Sequence, residues 1–141
     1  MADPLVGAPP GIYSEVVTQG ILITPDFTLR TVSVALGELR EGSAIPVALD
    51  ESTPYLAYPV EEGGVPNPAA SLAKNRRATG NPAFLADPAA ALRGDVVCVR
   101  ADGKDATEAN ERAAAEVVRA ARAYCEDYPE EYALWRSAAG R

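Results

Sequence analysis

The stretch Gly94 to Glu108, Gly-Asp-Val-Val-Cys-Val-Arg-Ala-Asp-Gly-Lys-Asp-Ala-Thr-Glu, constrains the fold more than any other part of the chain. Val96 to Val99 is the most continuous β-branched run, and it predicts a buried strand in the middle of a sheet. Asp102-Gly103 predicts the turn that follows it. Asp105 with Glu108 three residues on has the spacing of a capping box, so the longest helix is expected to begin there. Ala114, Val117, Val118, Ala121, Cys125 and Tyr128 recur at helical intervals, with Glu111, Arg112, Glu116, Arg119, Arg122 and Glu126 opposite them. Glu108 and Arg112 are spaced for an i,i+4 ion pair. Tyr128-Pro129 ends or kinks this helix, and Pro129-Glu130-Glu131 has the composition of a new first turn.

Upstream of that stretch the signals are short strands. Ile21 to Thr24 is β-branched and apolar, and Gly20 is expected to separate it from Ile12 to Val17. Pro25-Asp26-Phe27 reads as a turn, and Thr28 to Val34 alternates, so the two runs predict a β-hairpin. Ala35 to Arg40 reads as one or two helical turns. Ile45 to Leu49 contains Pro46, which confines a strand there to the edge of a sheet. Tyr55 to Val60 is a further strand. Residues 61–68 read as a loop, Ala69 to Ala73 as a short helix, and 74–80 as a basic loop. Pro88 suits a first helical turn after Asp87. Residues 1–11, with Pro4, Pro9 and Pro10, predict a flexible arm, and 12–141 a single domain.

Composition excludes several functions. The chain of 141 residues has no histidine and two cysteines, Cys98 and Cys125. No Cys/His metal site can be assembled from that set, and no histidine can serve as a general base. No cofactor is implied. A formal charge of −7 repels a phosphate backbone, so general nucleic-acid binding is disfavoured. No stretch is long and apolar enough for a membrane span, and the start lacks a signal-peptide pattern. These features point to a cytoplasmic setting with both thiols free. Much of the apolar content is alanine, so a thin core is expected.

Lys74-Asn75-Arg76-Arg77-Ala78-Thr79-Gly80 is the single local basic cluster in an acidic chain. Arginines hold phosphate or carboxylate bidentately, so Lys74, Asn75, Arg76, Arg77 and Thr79 are the candidate ligand-binding residues. The competing expectation is that these side chains pair with the chain's own acids, such as Glu61 and Glu62. The spacing is not that of a phosphate-binding P-loop. Tyr132, Leu134 and Trp135 make the terminal segment the most aromatic part of the chain. It either packs back on the sheet, the expected outcome, or presents Tyr132 and Trp135 to a partner protein. Cys98, inside an apolar strand, reads as inert filling. No serine stands in a nucleophile-elbow pattern.

Tyr55-Leu56-Ala57-Tyr58 followed by acids, a Pro/Gly loop, Asn75-Arg76-Arg77-Ala78-Thr79, Gly94-Asp95-Val96-Val97, Gly103 and the Thr107-Glu108 helix start together resemble a known family. It is the uncharacterised family termed domain of unknown function 3846, and the resemblance covers roughly residues 20–120. The chain departs from it by its proline-rich front arm and by an Ala-rich insertion between Thr79 and Gly94. The resemblance implies an accessory protein of bacteriophages or mobile elements that acts on a host component. It implies no activity, and it makes Asn75, Ala78 and Thr79 the positions to test.

The residues therefore predict an α+β fold, a small, mainly antiparallel sheet with a long C-terminal helix packed on one face. The expected function is non-enzymatic binding of a protein partner, through the acidic surface or the aromatic tail. The alternative is a binder of an anionic small ligand or nucleotide at residues 74–80. A virion structural component and a homo-oligomer are further readings. An enzyme is the least favoured class, because the chain has neither histidine nor a nucleophile motif.

Overall fold

A computed structural model of the chain describes residues 17–39, 44–60, 63–79 and 88–140. The front arm, residues 12–16, Glu61, Glu62, Gly80, Asp87 and the apolar residues Phe84 and Leu85 lie outside the described residues.

Five strands, β1 (Val17–Ile23), β2 (Leu29–Ala35), β3 (Ile45–Val47), β4 (Tyr55–Pro59) and β5 (Val96–Arg100), form one antiparallel sheet in the order β2-β1-β5-β4-β3. Three helices, α1 (Pro68–Thr79), α2 (Glu108–Asp127) and α3 (Pro129–Ala139), complete the α+β fold. The valine-rich run is β5, at the centre of the sheet as expected, paired to β1 on one side and β4 on the other. The Pro46 strand, β3, is an edge. Ala35 to Arg40 contributes a 3₁₀ turn at Leu36–Glu38, and Pro88–Ala90 forms another.

The hairpin is longer than the sequence suggests. Gly20 does not break the strand; it lies inside β1, opposite Val32. A Cβ there would come within 3.0 Å of the Cys98 carbonyl and of Val34 Cγ2, and 3.1 Å of Val99 Cγ1. Glycine thus lets Val34 and Val99 close over β1 from both sides, and both are buried. The turn at 24–28 is held by the Thr24, Asp26 and Thr28 side chains, with Thr28 Oγ1 donating to Asp26 Oδ1 at 3.2 Å. These hydroxyls hold the Asp26 carboxyl below its ordinary range, Thr24 contributing most.

One face of the sheet carries the core. Ile21, Ile23, Val47, Tyr55, Ala57, Val96 and Cys98 pack with Leu72 and the alanines of α1 and with Ala114, Val117, Val118, Ala121 and Cys125 of α2. Those α2 positions are the predicted apolar stripe, except that Tyr128 is exposed and serves as the helix C-cap. Burial of this stripe, rather than helix propensity, is what stabilises a helix of this kind. On its outer side the ion pairs formed are Glu116–Arg119 at 2.9 Å and Arg122–Glu126 at 3.6 Å, not the predicted Glu108–Arg112 pair. Both are exposed and contribute about 0.3–0.5 kcal/mol each.

The capping box is also shifted. Thr107, not Asp105, is the N-cap of α2: its hydroxyl accepts from Asn110 N–H at 3.1 Å, and Asn110 Oδ1 accepts from Thr107 N–H at 2.9 Å. Asp105 is taken by β1 instead, accepting from Gln19 N–H at 2.8 Å and Thr18 Oγ1 at 3.0 Å. A hydroxyl two residues nearer the helix reaches its third amide, which frees the carboxylate to satisfy the strand.

The largest departure is α1. The expected short helix and basic loop are one helix, and its first half is enclosed on all sides: Pro68, Ala69, Ala70, Ser71, Leu72 and Ala73 are buried. Asn67, fully buried, caps it, accepting from Ala70 N–H at 3.1 Å. The same side chain donates to the Ile23 carbonyl at 3.0 Å and the Gly94 carbonyl at 2.9 Å, tying the helix start to β1 and to the entry of β5. α3 packs back on the body of the protein, chiefly against the Pro88–Ala90 turn and α2 rather than on the sheet as expected. Trp135 is buried, stacks on Tyr132 at 6.4 Å between ring centres, and belongs to the core.

Candidate functional site

The second half of α1 leaves the core and forms one wall of an open groove of about 640 Å³. Arg76 and Arg77 line it from the helix; Val47, Leu49, Asp50, Glu51, Ser52, Thr53 and Pro54 line it from the β3–β4 connection. The two walls are joined where Ala48 N–H donates to the Ala73 carbonyl at 3.0 Å.

The five residues singled out in the basic cluster separate. Lys74 turns away from the groove and donates from Nζ to the Ala90 carbonyl at 2.8 Å. Asn75 is buried against the body of the protein. Thr79 is exposed and returns its hydroxyl to the Asn75 carbonyl at 2.9 Å, satisfying one of the last helix carbonyls. Only Arg76 and Arg77 reach the groove, because a helix turns about 100° per residue and spreads six consecutive side chains around its axis. Among the described residues neither arginine forms a hydrogen bond or ion pair, and Glu61 and Glu62, the acids expected to pair with them, lie outside those residues. Arg76 Nε is buried and has no hydrogen-bond partner among the described residues.

The opposite wall is rigid. Asp50 Oδ1 accepts from Ser52 N–H at 3.0 Å and Thr53 N–H at 2.7 Å, while its Oδ2 accepts from Tyr55 Oη at 2.6 Å. Tyr55 Oη in turn accepts from Asn110 Nδ2 at 2.7 Å, and Asn110 Oδ1 accepts from Arg100 Nη1 at 3.2 Å. Arg100 also binds Asp102 at 2.8 Å. This chain of bonds fixes the groove wall to the cap of α2 through the sheet, and Tyr55 and Asn110 are 2% and 4% exposed. A buried network of this kind is stabilising only when every member is satisfied, as here.

The protonation states follow. Burial works to raise the Asp50 carboxyl and is outweighed by the Tyr55 hydroxyl and the Thr53 and Ser52 donors, so it stays below the ordinary carboxylate range. Burial first, and then the Asp50 carboxylate, push the Tyr55 phenol well above its usual value. The Arg100 hydrogen bond, followed by the Lys104 amide, holds Asp102 down to about 2. Asp50 is thus a spent charge, engaged by its own loop, whereas the arginines across the groove are not.

Away from the groove, burial pushes the Cys98 thiol up to about 12 and the Cys125 thiol up to about 11, so neither is a thiolate at neutral pH. Tyr132 lines a shallower depression with Val65, Pro66, Ala133, Arg136 and Ser137, and Trp135 lies beneath it in the core. Among the described residues no three Cys, Asp or Glu side chains converge in a metal-ligating group, and no helix is long and apolar enough to cross a membrane. The wall provided by the β3–β4 connection went unnoticed in the sequence, where only Asp50-Glu51-Ser52-Thr53-Pro54, a turn-forming run, marks it.

Comparison with family models, with curated proteins and with solved structures yields no match for this chain.

Proposed function

We propose that the protein is a non-enzymatic binder whose contact site is the Arg76/Arg77 groove, and that it takes a small ligand through a phosphate or carboxylate group. The observation that carries this reading is the buried Arg76 Nε–H, which has no hydrogen-bond partner among the described residues and lines the same groove as Arg77. Arg30 and Arg112 also lack an acid partner among the described residues; what sets Arg76 apart is that its Nε is buried as well as without a partner there. A buried Arg76 Nε–H with no acceptor costs about 1–3 kcal/mol, more when the group is charged. An oxyanion in the groove removes that cost and is held by two forked donors. Attraction to the helix C-terminus, worth about 0.3–1 kcal/mol, accounts for basic residues in the last turn of α1 but not for a buried, partnerless nitrogen.

A protein partner is the second reading, supported by the chain's formal charge of −7 and by Leu134, which is 73% exposed on α3. The buried Trp135 takes no part in it. An accessory role of the kind implied by the family resemblance would be served by either contact.

Thermal unfolding with phosphate, pyrophosphate, citrate and a nucleotide panel tests the first reading. A ligand at a hundred times its Kd adds about 2.7 kcal/mol, a rise of roughly 8 °C for a chain of this size. The rise is expected to vanish in Arg76→Ala/Arg77→Ala and to be weak in Arg76→Lys, which keeps the charge but not the fork. No rise at millimolar ligand, or an equal rise in the double variant, removes this reading.

A further inference from the structure

The two edges of the sheet are finished differently. β3 is three residues long, has Pro46 at its centre, and runs directly into the contact between Ala48 and α1. A short strand with a proline and a helix beside it is a defended edge. β2 runs for seven residues, Leu29–Ala35, without proline, glycine or a break in register, and no described residue pairs with its outer side.

The backbone groups that face outward follow from β1. Gln19 N–H donates to Asp105 Oδ1 at 2.8 Å, and the Gln19 carbonyl accepts from Ala106 N–H at 2.9 Å, so both point away from β2. Gln19 and Ser33 are therefore opposed without hydrogen bonds, and alternation makes the same true of Ile21 with Thr31 and Ile23 with Leu29. The N–H and C=O groups of Leu29, Thr31 and Ser33 thus form an open, regular row.

We propose that β2 is a self-pairing edge, and that two copies of this chain join antiparallel through it about a twofold axis at Val32. The strand is complementary to itself in that register. All seven residues pair: Thr31 with Ser33 of the partner subunit, and Leu29 with Ala35 of the partner subunit, both through the open backbone groups. On the helix side the new neighbours are two hydroxyls; on the other side Val32 meets Val32 of the partner subunit. Arg30, the single charge on β2, lies opposite Val34 of the partner subunit rather than its own counterpart, so no like charges meet within the pairing. A foreign strand has no such internal match to this edge. The pairing also extends the apolar row of Leu22, Val32, Val34, Val97 and Val99 on the face that no described helix covers. The charge of −7 on each copy opposes approach at long range, so added salt tightens the dimer.

Light-scattering mass across the micromolar to millimolar range tests this. The expected mass is twice 14.8 kDa. Val32→Lys places like charges on the axis and is expected to give 14.8 kDa throughout, as is Val32→Glu, while an equal mixture of the two returns to the doubled mass. Ser33→Pro removes an outward N–H and leaves the backbone bonds to β1 in place, losing there only the exposed bond that Gln19 Nε2 donates to Ser33 Oγ, and gives the monomer with its circular dichroism retained. Hydrogen exchange supplies a second readout: the Leu29, Thr31 and Ser33 amides exchange slowly in the parent and fast in the variants, while Arg30, Val32 and Val34 stay slow in both. A dimer that survives both Val32→Lys and Ser33→Pro places the contact elsewhere and overturns the proposal. So does a parent chain that is monomeric at every concentration with fast edge amides, which leaves the edge to a foreign extended peptide or to none.

Discussion

Replacing Tyr55 by Phe isolates the network that fixes the groove wall. The ring and its packing are kept, so no cavity opens, and only the hydroxyl is lost. That hydroxyl donates to Asp50 at 2.6 Å and accepts from Asn110 at 2.7 Å. A bond to a charged acceptor contributes about 1.5–3 kcal/mol, and the Asn110 Nδ2 left buried without an acceptor costs about 1–3 kcal/mol. Asp50 is partly exposed and keeps its Ser52 and Thr53 donors, so water recovers part of the first term. The expected net loss is about 2–4 kcal/mol, against a total of about 5–15 kcal/mol for a natural domain. At about 3 °C per kcal/mol that is a fall in Tm of roughly 10 °C. Urea unfolding followed by Trp135 fluorescence should show a lower midpoint with unchanged slope. The difference should also depend on pH. The Asp50 carboxyl is depressed in the folded state, so its contribution is complete above the unfolded carboxylate value of about 3.9 and is lost as pH falls through the folded value. The variant has less of that contribution to lose, so the two proteins converge in acid. A loss below about 1 kcal/mol at neutral pH, or a gap that widens in acid, would show that the network does not hold the wall.

Two further substitutions probe the frame around the site. Gly20→Ala should destabilise by about 1–3 kcal/mol in calorimetry, since its methyl would stand 3.0 Å from the Cys98 carbonyl and Val34 Cγ2; a neutral or stabilised variant contradicts the packing of β1. Asn67→Ala should cost about 2–4 kcal/mol by loss of a cap and two buried donor bonds. Asn67→Asp, which keeps the cap but points an oxygen at two carbonyls, should recover little of that loss; full recovery would mean that the cap alone matters.

The sequence was readable where a period of two or 3.6 meets a clear boundary. The alternation at Thr28 to Val34 gave the hairpin, the valine run gave the central strand, and the Ala114-to-Cys125 stripe gave the buried face of α2. α1 was readable only as a short helix over Ala69 to Ala73; its full length was not, because its enclosed first half has no polar face to set a period. Alanine and serine fill it, and Asn67-Pro68, in fact its cap and first residue, looks like loop punctuation. The site was half readable. The basic cluster stood out, but which of its side chains share a surface depends on how α1 is rotated against the sheet. The Asp50–Tyr55–Asn110 network joins side chains 55 positions apart, and no local pattern signals such a meeting. Gly20 misled because a close approach between strands and a strand break look alike in one sequence.

An anion in the groove would give the buried Arg76 Nε–H the acceptor it lacks among the described residues. The most direct measurement is a proton–nitrogen spectrum of arginine-labelled protein, following the Nε–H signals during titration with pyrophosphate. Arg76 and Arg77 are expected to shift downfield together and saturate, with Arg76 moving most, while Arg112, Arg119 and Arg122 on the outer face of α2 stay in place. Shifts that rise linearly without saturation, or that are shared alike by all the arginines, would contradict the claim.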